Sequence, residues 1–183
     1  MKRLLAVLLF LVPALALGKT WQVQPAQSHL GFQGSFQGDA FEGRFKTFEA
    51  TIVYDPNDLA GARFDVEVDL ASVDTQSAER DQALTGADFF DVADHPRAHF
   101  VTESFRKQAD GTVVAHGTLQ LRDVTRPVDL TVDFRPDGDD ATLDVATDLS
   151  RLDYGLGEGS DWDGISKTIK VSGHLVLQAA GTD

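Results

Sequence analysis

Val128-Asp129-Leu130-Thr131-Val132-Asp133-Phe134 alternates apolar and polar side chains along its whole length. Successive side chains of a strand point to opposite faces, so this stretch reads as a β-strand with one face buried and one face wet. The same period of two recurs at Phe64, Val66, Val68 and Leu70, and again at Ile169, Val171, Gly173, Leu175 and Leu177. Weaker versions cover residues 21–23, 28–36, 45–54, 98–105, 113–121 and 141–149. Turn chemistry separates them at Asp55-Pro56-Asn57-Asp58, Asp110-Gly111 and Pro136-Asp137-Gly138-Asp139, and the last two read as tight antiparallel hairpins. The expectation is an all-β chain, a closed antiparallel β-barrel of about eight strands, because closure removes the exposed edges such a sheet would otherwise carry.

One stretch departs from the pattern. Residues 76–84, with Ala78, Glu79, Arg80, Asp81, Ala83 and Leu84, favour a short helix that Gly86 ends. Asp88-Phe89-Phe90-Asp91-Val92 follows, and two adjacent aromatic rings cannot both face inward on one strand. A capping segment near residues 76–92, closing one end of the barrel, would bury both.

Residues 1–18 begin Met1-Lys2-Arg3 and continue as an apolar run interrupted by Pro13, with small residues at Ala14, Ala16 and Gly18. This is the form of a cleaved secretory signal peptide, and it is shorter than the roughly 20 apolar residues of a membrane-spanning helix. The expected organisation is therefore a leader over 1–18 and a single domain over 19–183, exported and not membrane-spanning. Ala14-Leu15-Ala16 and Ala16-Leu17-Gly18 both fit the cleavage site. Cysteine is absent, so disulfides, thiolate metal sites and cysteine catalysis are excluded. Loss of Lys2 and Arg3 leaves 14 basic against 29 acidic residues, a net charge of −15. Such a field argues against nucleic acid as a partner.

Asp69-Leu70-Ala71-Ser72-Val73-Asp74-Thr75 leads through Glu79-Arg80-Asp81 and Leu84 to Asp88-Phe89-Phe90-Asp91-Val92 and then His95-Pro96-Arg97-Ala98-His99-Phe100. Later come Gly117-Thr118-Leu119-Gln120-Leu121-Arg122-Asp123-Val124-Thr125-Arg126-Pro127-Val128 and Leu152-Asp153-Tyr154-Gly155; earlier stand Gly43-Arg44-Phe45, Phe48 and Tyr54-Asp55-Pro56. Together these resemble the YceI-like family. The resemblance implies a lipocalin-like barrel whose elongated apolar tunnel holds a polyisoprenoid, in proteins exported to the bacterial periplasm and not known for catalysis. It also makes a homodimer worth testing. The histidine often found in the family's early F-x-x-x-H stretch has no counterpart within Phe32-Gln33-Gly34-Ser35-Phe36.

Composition by itself leaves the barrel interior open: eight strands enclose a space that side chains can just fill or that can hold a small ligand. With the resemblance, the expected tunnel lining is Phe32, Phe64, Val66, Val68, Phe89, Phe90, Phe100, Leu119, Leu130, Val132, Ile169 and Val171. A one-residue slip on any strand would turn its set outward. Arg122 and Arg126, which flank a tight turn, are the candidate head-group contacts; ion pairing across the hairpin is their ordinary role. The alternative function is a filled barrel that binds another envelope protein through the acidic loops at residues 88–94 and 137–140.

No catalytic residues, metal or cofactor are expected. His95 and His99 lie near Asp91 and Asp94, but Pro96 opposes the helical spacing that would converge two imidazoles on one ion. Residues 157–164 carry several acidic oxygens but lack the ordered positions of an EF-hand, and read as a flexible loop. Gly31, Gly34 and Gly38 read as bends in a curved strand, not a dinucleotide fingerprint. No Gly-x-Ser-x-Gly elbow occurs.

Overall fold

The computed structural model describes residues 19–181; the leader read in residues 1–18 lies outside them. Eleven strands follow one another as β1 (Thr20–Val23), β2 (His29–Phe36), β3 (Asp39–Phe45), β4 (Phe48–Val53), β5 (Arg63–Asp69), β6 (Val73–Asp74), β7 (Arg97–Lys107), β8 (Val113–Leu121), β9 (Val124–Asp137), β10 (Asp140–Ser150) and β11 (Thr168–Ala179), with helix α1 (Ala78–Thr85) between β6 and β7. Eight of them close a ring in the order β1-β4-β5-β7-β8-β9-β10-β11, sealed where Trp21 to Val23 pair with Leu177 to Ala179.

The strand β11 serves two neighbours. Its C-terminal end pairs with β1, and its earlier part, Lys170 to His174, pairs with β2. Pro25 cannot donate to a ladder, so the chain leaves the sheet in a 3-10 turn, Pro25–Gln27, between the two partners. Ser28 bridges the gap: its hydroxyl accepts the Val176 N–H at 3.0 Å and donates to the Gln24 carbonyl at 2.8 Å. Beyond the ring, β2, β3 and β6 continue the wall on that side. The β2–β3 hairpin turns through Gln37 and Gly38, both at positive φ (53° and 93°), the backbone that matches the twist of a two-residue hairpin.

Sequence and structure differ at three places here. Residues 45–54, read as one strand, are broken at Lys46 and Thr47 into the end of β3 and the whole of β4. The strands β3 and β6 were not legible as strands. The helix starts two residues later than expected, capped by Ser77, whose hydroxyl accepts the Arg80 N–H at 3.4 Å. Gly86 ends it as expected but at φ −75°, by donating its N–H to the Ala83 carbonyl, so no left-handed residue is involved.

Inward side chains form two clusters at opposite ends. One is a plug of Trp21, Ile52, Tyr54, Phe64, Ala115, Val132, Ala141, Leu143, Leu175 and Leu177, with Phe105 and Phe134 packed against it. Aromatic edges hold it together: the Phe64 and Phe105 rings meet at 4.8 Å and 81°, and Tyr54 lies 4.9 Å from Phe134. A bulge in β7 between Thr102 and Ser104 lets the buried Thr102 hydroxyl take over a ladder position, accepting the Phe64 N–H at 2.9 Å. The second cluster gathers Phe32, Leu70, Val73, Phe89, Phe90, Ala98, Leu121, Tyr154 and Leu156 at the other end. Both Phe89 and Phe90 are buried, 4% and 8% exposed.

Candidate ligand-binding cavity

Between the two clusters the barrel is hollow. The cavity measures about 770 Å³, within the range of roughly 300–1,000 Å³ typical of sites that enclose a small organic ligand. Individual strands cross from plug to cavity along their length. On β5 Phe64 is plug while Val66 and Val68 are wall; on β9 Val132 is plug while Val128 and Leu130 are wall. On β10 Leu143 gives way to Val145, Thr147 and Leu149, and on β11 Leu175 gives way to Gly173, Val171 and Ile169. Period-two alternation thus sets which residues face in, and position along the tilted strand sets how deep they lie.

Of the residues expected to line a tunnel, Phe32, Val66, Val68, Phe89, Phe90, Phe100, Leu119, Leu130, Ile169 and Val171 stand on the cavity wall. Phe64 and Val132 do not: both face inward, but they sit one step too far along their strands and pack inside the plug. Two glycines make room for wall rings. A Cβ on Gly117 would lie 2.8 Å from the Phe100 ring and 2.4 Å from the Val101 carbonyl oxygen, and one on Gly43 would lie 2.3 Å from Phe32.

Arg122 and Arg126 are not on the cavity wall. Arg122 donates to the Gly155 carbonyl at 3.2 Å and Arg126 to the Asp153 carbonyl at 3.4 Å, so both brace the turn after β10. The arginines on the wall are Arg80 and Arg151. Arg80 lies over the Phe41 ring at 5.3 Å and donates to the Thr75 carbonyl at 3.3 Å. It shares the rim with Ser77, Glu79, Asp39 and Gln37, and with Phe36, a large apolar side chain left 44% exposed.

Arg151 was invisible to sequence reasoning, since a lone arginine after a strand looks like surface charge. It is 6% exposed and donates to five main-chain carbonyls: Nη1 to Leu156 and Gly157 (2.7 and 2.6 Å), Nη2 to Trp162 and Ile165 (3.0 and 3.3 Å), and Nε to Ser166 (3.2 Å). Residues 157–164, read as a flexible loop, are therefore wrapped around one guanidinium, with a 3-10 turn at Ser160–Trp162. The fork geometry of arginine suits this many-acceptor role. Trp162 and Ile165 in the wrapped loop complete the wall, and Trp162 donates to the Asp88 carboxylate at 3.2 Å.

His95 and His99 face different carboxylates, Asp123 at 3.5 Å and Asp65 at 2.7 Å. Among the described residues no group of three or more His, Cys, Asp or Glu gathers in a metal-holding arrangement. Titration is perturbed at three informative places. The His99 hydrogen bond, aided by Arg63, holds Asp65 below the usual carboxylate value. Burial raises the Tyr54 phenol, and burial together with Asp153 raises that of Tyr154.

Comparison with known proteins agrees with this architecture. A UPF0312 protein of Vibrio vulnificus is 34% identical over 116 residues, covering 63% of this chain and 61% of that protein, so the chain spans under two thirds of that relative's length. The crystal structure of BcnA from Burkholderia cenocepacia superposes with a TM-score of 0.80 at 24% identity, over 85% of this chain and 99% of that one. A domain from Saccharophagus degradans, described as polyisoprenoid binding and implicated in plant cell wall breakdown, superposes with a TM-score of 0.67 at 18% identity, over 87% and 98%. At these identities the two structures establish a shared fold. The YceI-like domain matches residues 21–177, from β1 into β11 and so through every strand of the closed ring, and the chain belongs to the YceI-like family.

Proposed function

We propose that this chain is an exported periplasmic protein that holds a long apolar lipid, a polyisoprenoid, inside its barrel and carries or stores it there. The observation that bears the reading is the half-filled interior: the plug closes one end, and the remaining 770 Å³ is walled by Val, Leu, Ile and Phe side chains. A filled scaffold would not leave such a space, because well-packed interiors keep few voids larger than a water molecule. Burying a hydrocarbon chain removes apolar area from water at about 25 cal/mol per Å², so length and shape would govern affinity.

The polyisoprenoid identity is supported by membership of the YceI-like family and by the fold shared with the Saccharophagus degradans domain. Export is supported by the leader-like residues 1–18. The role read here is binding, in line with the YceI-like family to which the chain belongs.

Expression with residues 1–18 in a Gram-negative host, osmotic-shock fractionation, native mass spectrometry and lipid extraction test the reading. The expected result is a protein in the periplasmic fraction, shortened near residue 18, with an isoprenoid mass bound one per chain. Cytoplasmic retention would overturn the location. A protein that arrives empty and takes up no prenyl lipid would overturn the carrier role.

A further inference from the structure

We propose that His29 and His174 bind one divalent transition-metal ion on the outer surface of the barrel, with Asp144 orienting the His174 imidazole from behind. The site is separate from the cavity and does not depend on the lipid-binding reading.

The register of β11 against β2 places His174 directly opposite His29, and that of β10 against β11 places Asp144 opposite His174. Their chain neighbours fix the face. Leu30 on β2, Gly173 on β11 and Val145 on β10 all line the cavity, so by alternation His29, His174 and Asp144 turn outward. His29 is exposed, and the His174 side chain keeps 33% of its surface. The two ring centres are 5.2 Å apart, with their planes inclined at 31°. An ion held about 2.0–2.1 Å from one nitrogen of each ring sets the ring centres about 5 Å apart, so a single ion fits the pair with little movement. Strand pairing alone joins the two histidines, so spacing along the chain did not reveal them as it did His95 and His99.

The hydrogen bonding suits a ligand role. His174 Nδ1 lies 2.6 Å from Asp144 Oδ1. A carboxylate only accepts, so Nδ1 carries the proton, and Nε2 of the neutral ring presents its lone pair to the ion. The other histidines are placed differently. His95 and His99 each turn Nε2 to a carboxylate of their own, and His116 turns Nδ1 to Asp129 while its Nε2 is buried. Charge favours a cation: Asp144 and, one strand further on, Asp133 stand against a single Arg135 that pairs with both. The chain as a whole carries −13. Two imidazoles leave the remaining positions to water, so the ion is exchangeable. Nitrogen donors select copper, nickel or zinc over magnesium or calcium, and the affinity order peaks at Cu(II).

Tag-free protein is titrated with Cu(II) and with Zn(II) by calorimetry, beside His29→Asn, His174→Asn, Asp144→Asn and His99→Asn, with thermal unfolding to confirm that each is folded. The expected result is one ion per chain, with Cu(II) bound more tightly than Zn(II). Asp144→Asn should weaken Cu(II) binding by about 10–100-fold, the usual effect of losing such an orienting partner; loss of either ligand should cost at least about 10-fold, and His99→Asn should change nothing. In wild type, Zn(II) should shield His29 and His174, but not His99, from diethyl pyrocarbonate, read by peptide mass spectrometry, a measurement that needs no variant to fold. Absence of one-to-one uptake, unchanged affinity in His29→Asn or His174→Asn, or equal shielding of all three histidines would overturn the site. Unchanged affinity in Asp144→Asn would overturn its orienting role.

Discussion

Phe32 on β2 lies directly opposite Gly43 on β3, and a Cβ on Gly43 would come within 2.3 Å of the Phe32 ring. The missing side chain of one residue is the seat of the other, an arrangement that repairs a glycine in a strand with a cross-strand aromatic ring. Gly43→Ala is therefore expected to push Phe32 off its seat toward the cavity. Stability should fall by about 1–3 kcal/mol, the usual range for overpacking, and prenyl alcohol should bind more weakly. Urea unfolding and ligand titration on the same variant check both halves.

Phe64 marks the boundary between plug and cavity. It is 2% exposed and packs against Phe105 and Tyr54. Phe64→Ala should cost about 3–5 kcal/mol and extend the hollow toward the plug. In a series of prenyl alcohols of increasing length, the chain length at which affinity stops rising should move upward. An unchanged length limit would mean that the plug is not the stop.

Arg151→Met should destabilise the protein by at least about 3 kcal/mol, because several carbonyls lose their donor at once and each unsatisfied one costs roughly 1–3 kcal/mol. Arg151→Lys should rescue little, since a point charge cannot reach five acceptors. Limited proteolysis should cut both variants within residues 155–166 faster than wild type.

Asp65 gives a pH dependence whose sign is fixed. Its carboxyl titrates below the usual value because His99 donates to it and Arg63 lies 2.6 Å away. A depressed folded value means that the contribution is fully present above about pH 4, the ordinary carboxylate value, and disappears as pH falls through the folded value. The urea midpoint of Asp65→Asn should lie below that of wild type near neutrality, and the two should converge in acid. The gap should be small, as for other solvent-accessible pairs.

Much of the ring was legible in the sequence because a half-buried strand must alternate, and residues 64–70, 128–134 and 169–177 do so cleanly. Phe89 and Phe90 were legible as a cap for the complementary reason, that neighbours on a strand cannot both turn inward. Depth was not legible. Val132 and Leu130 have the same type and the same face, and the stagger of strands around the ring alone sends one to the plug and the other to the cavity. The strand β3 escaped notice because Gly43 removes an apolar residue from its alternation, and only the ring opposite explains that glycine. Arg122, Arg126 and Arg151 look alike as letters; Arg122 and Arg126 are defined by carbonyls far along the chain, and Arg151 by the following loop folding back on it, neither of which local sequence displays.

The most direct test of the central claim compares wild type with Leu130→Trp, which puts a large ring into the hollow from the wall, in a titration with geranylgeraniol followed by calorimetry. A lipid held inside the barrel predicts saturable one-to-one binding to wild type and its loss in the folded variant. Equal binding by both proteins, or no binding by wild type, would contradict it.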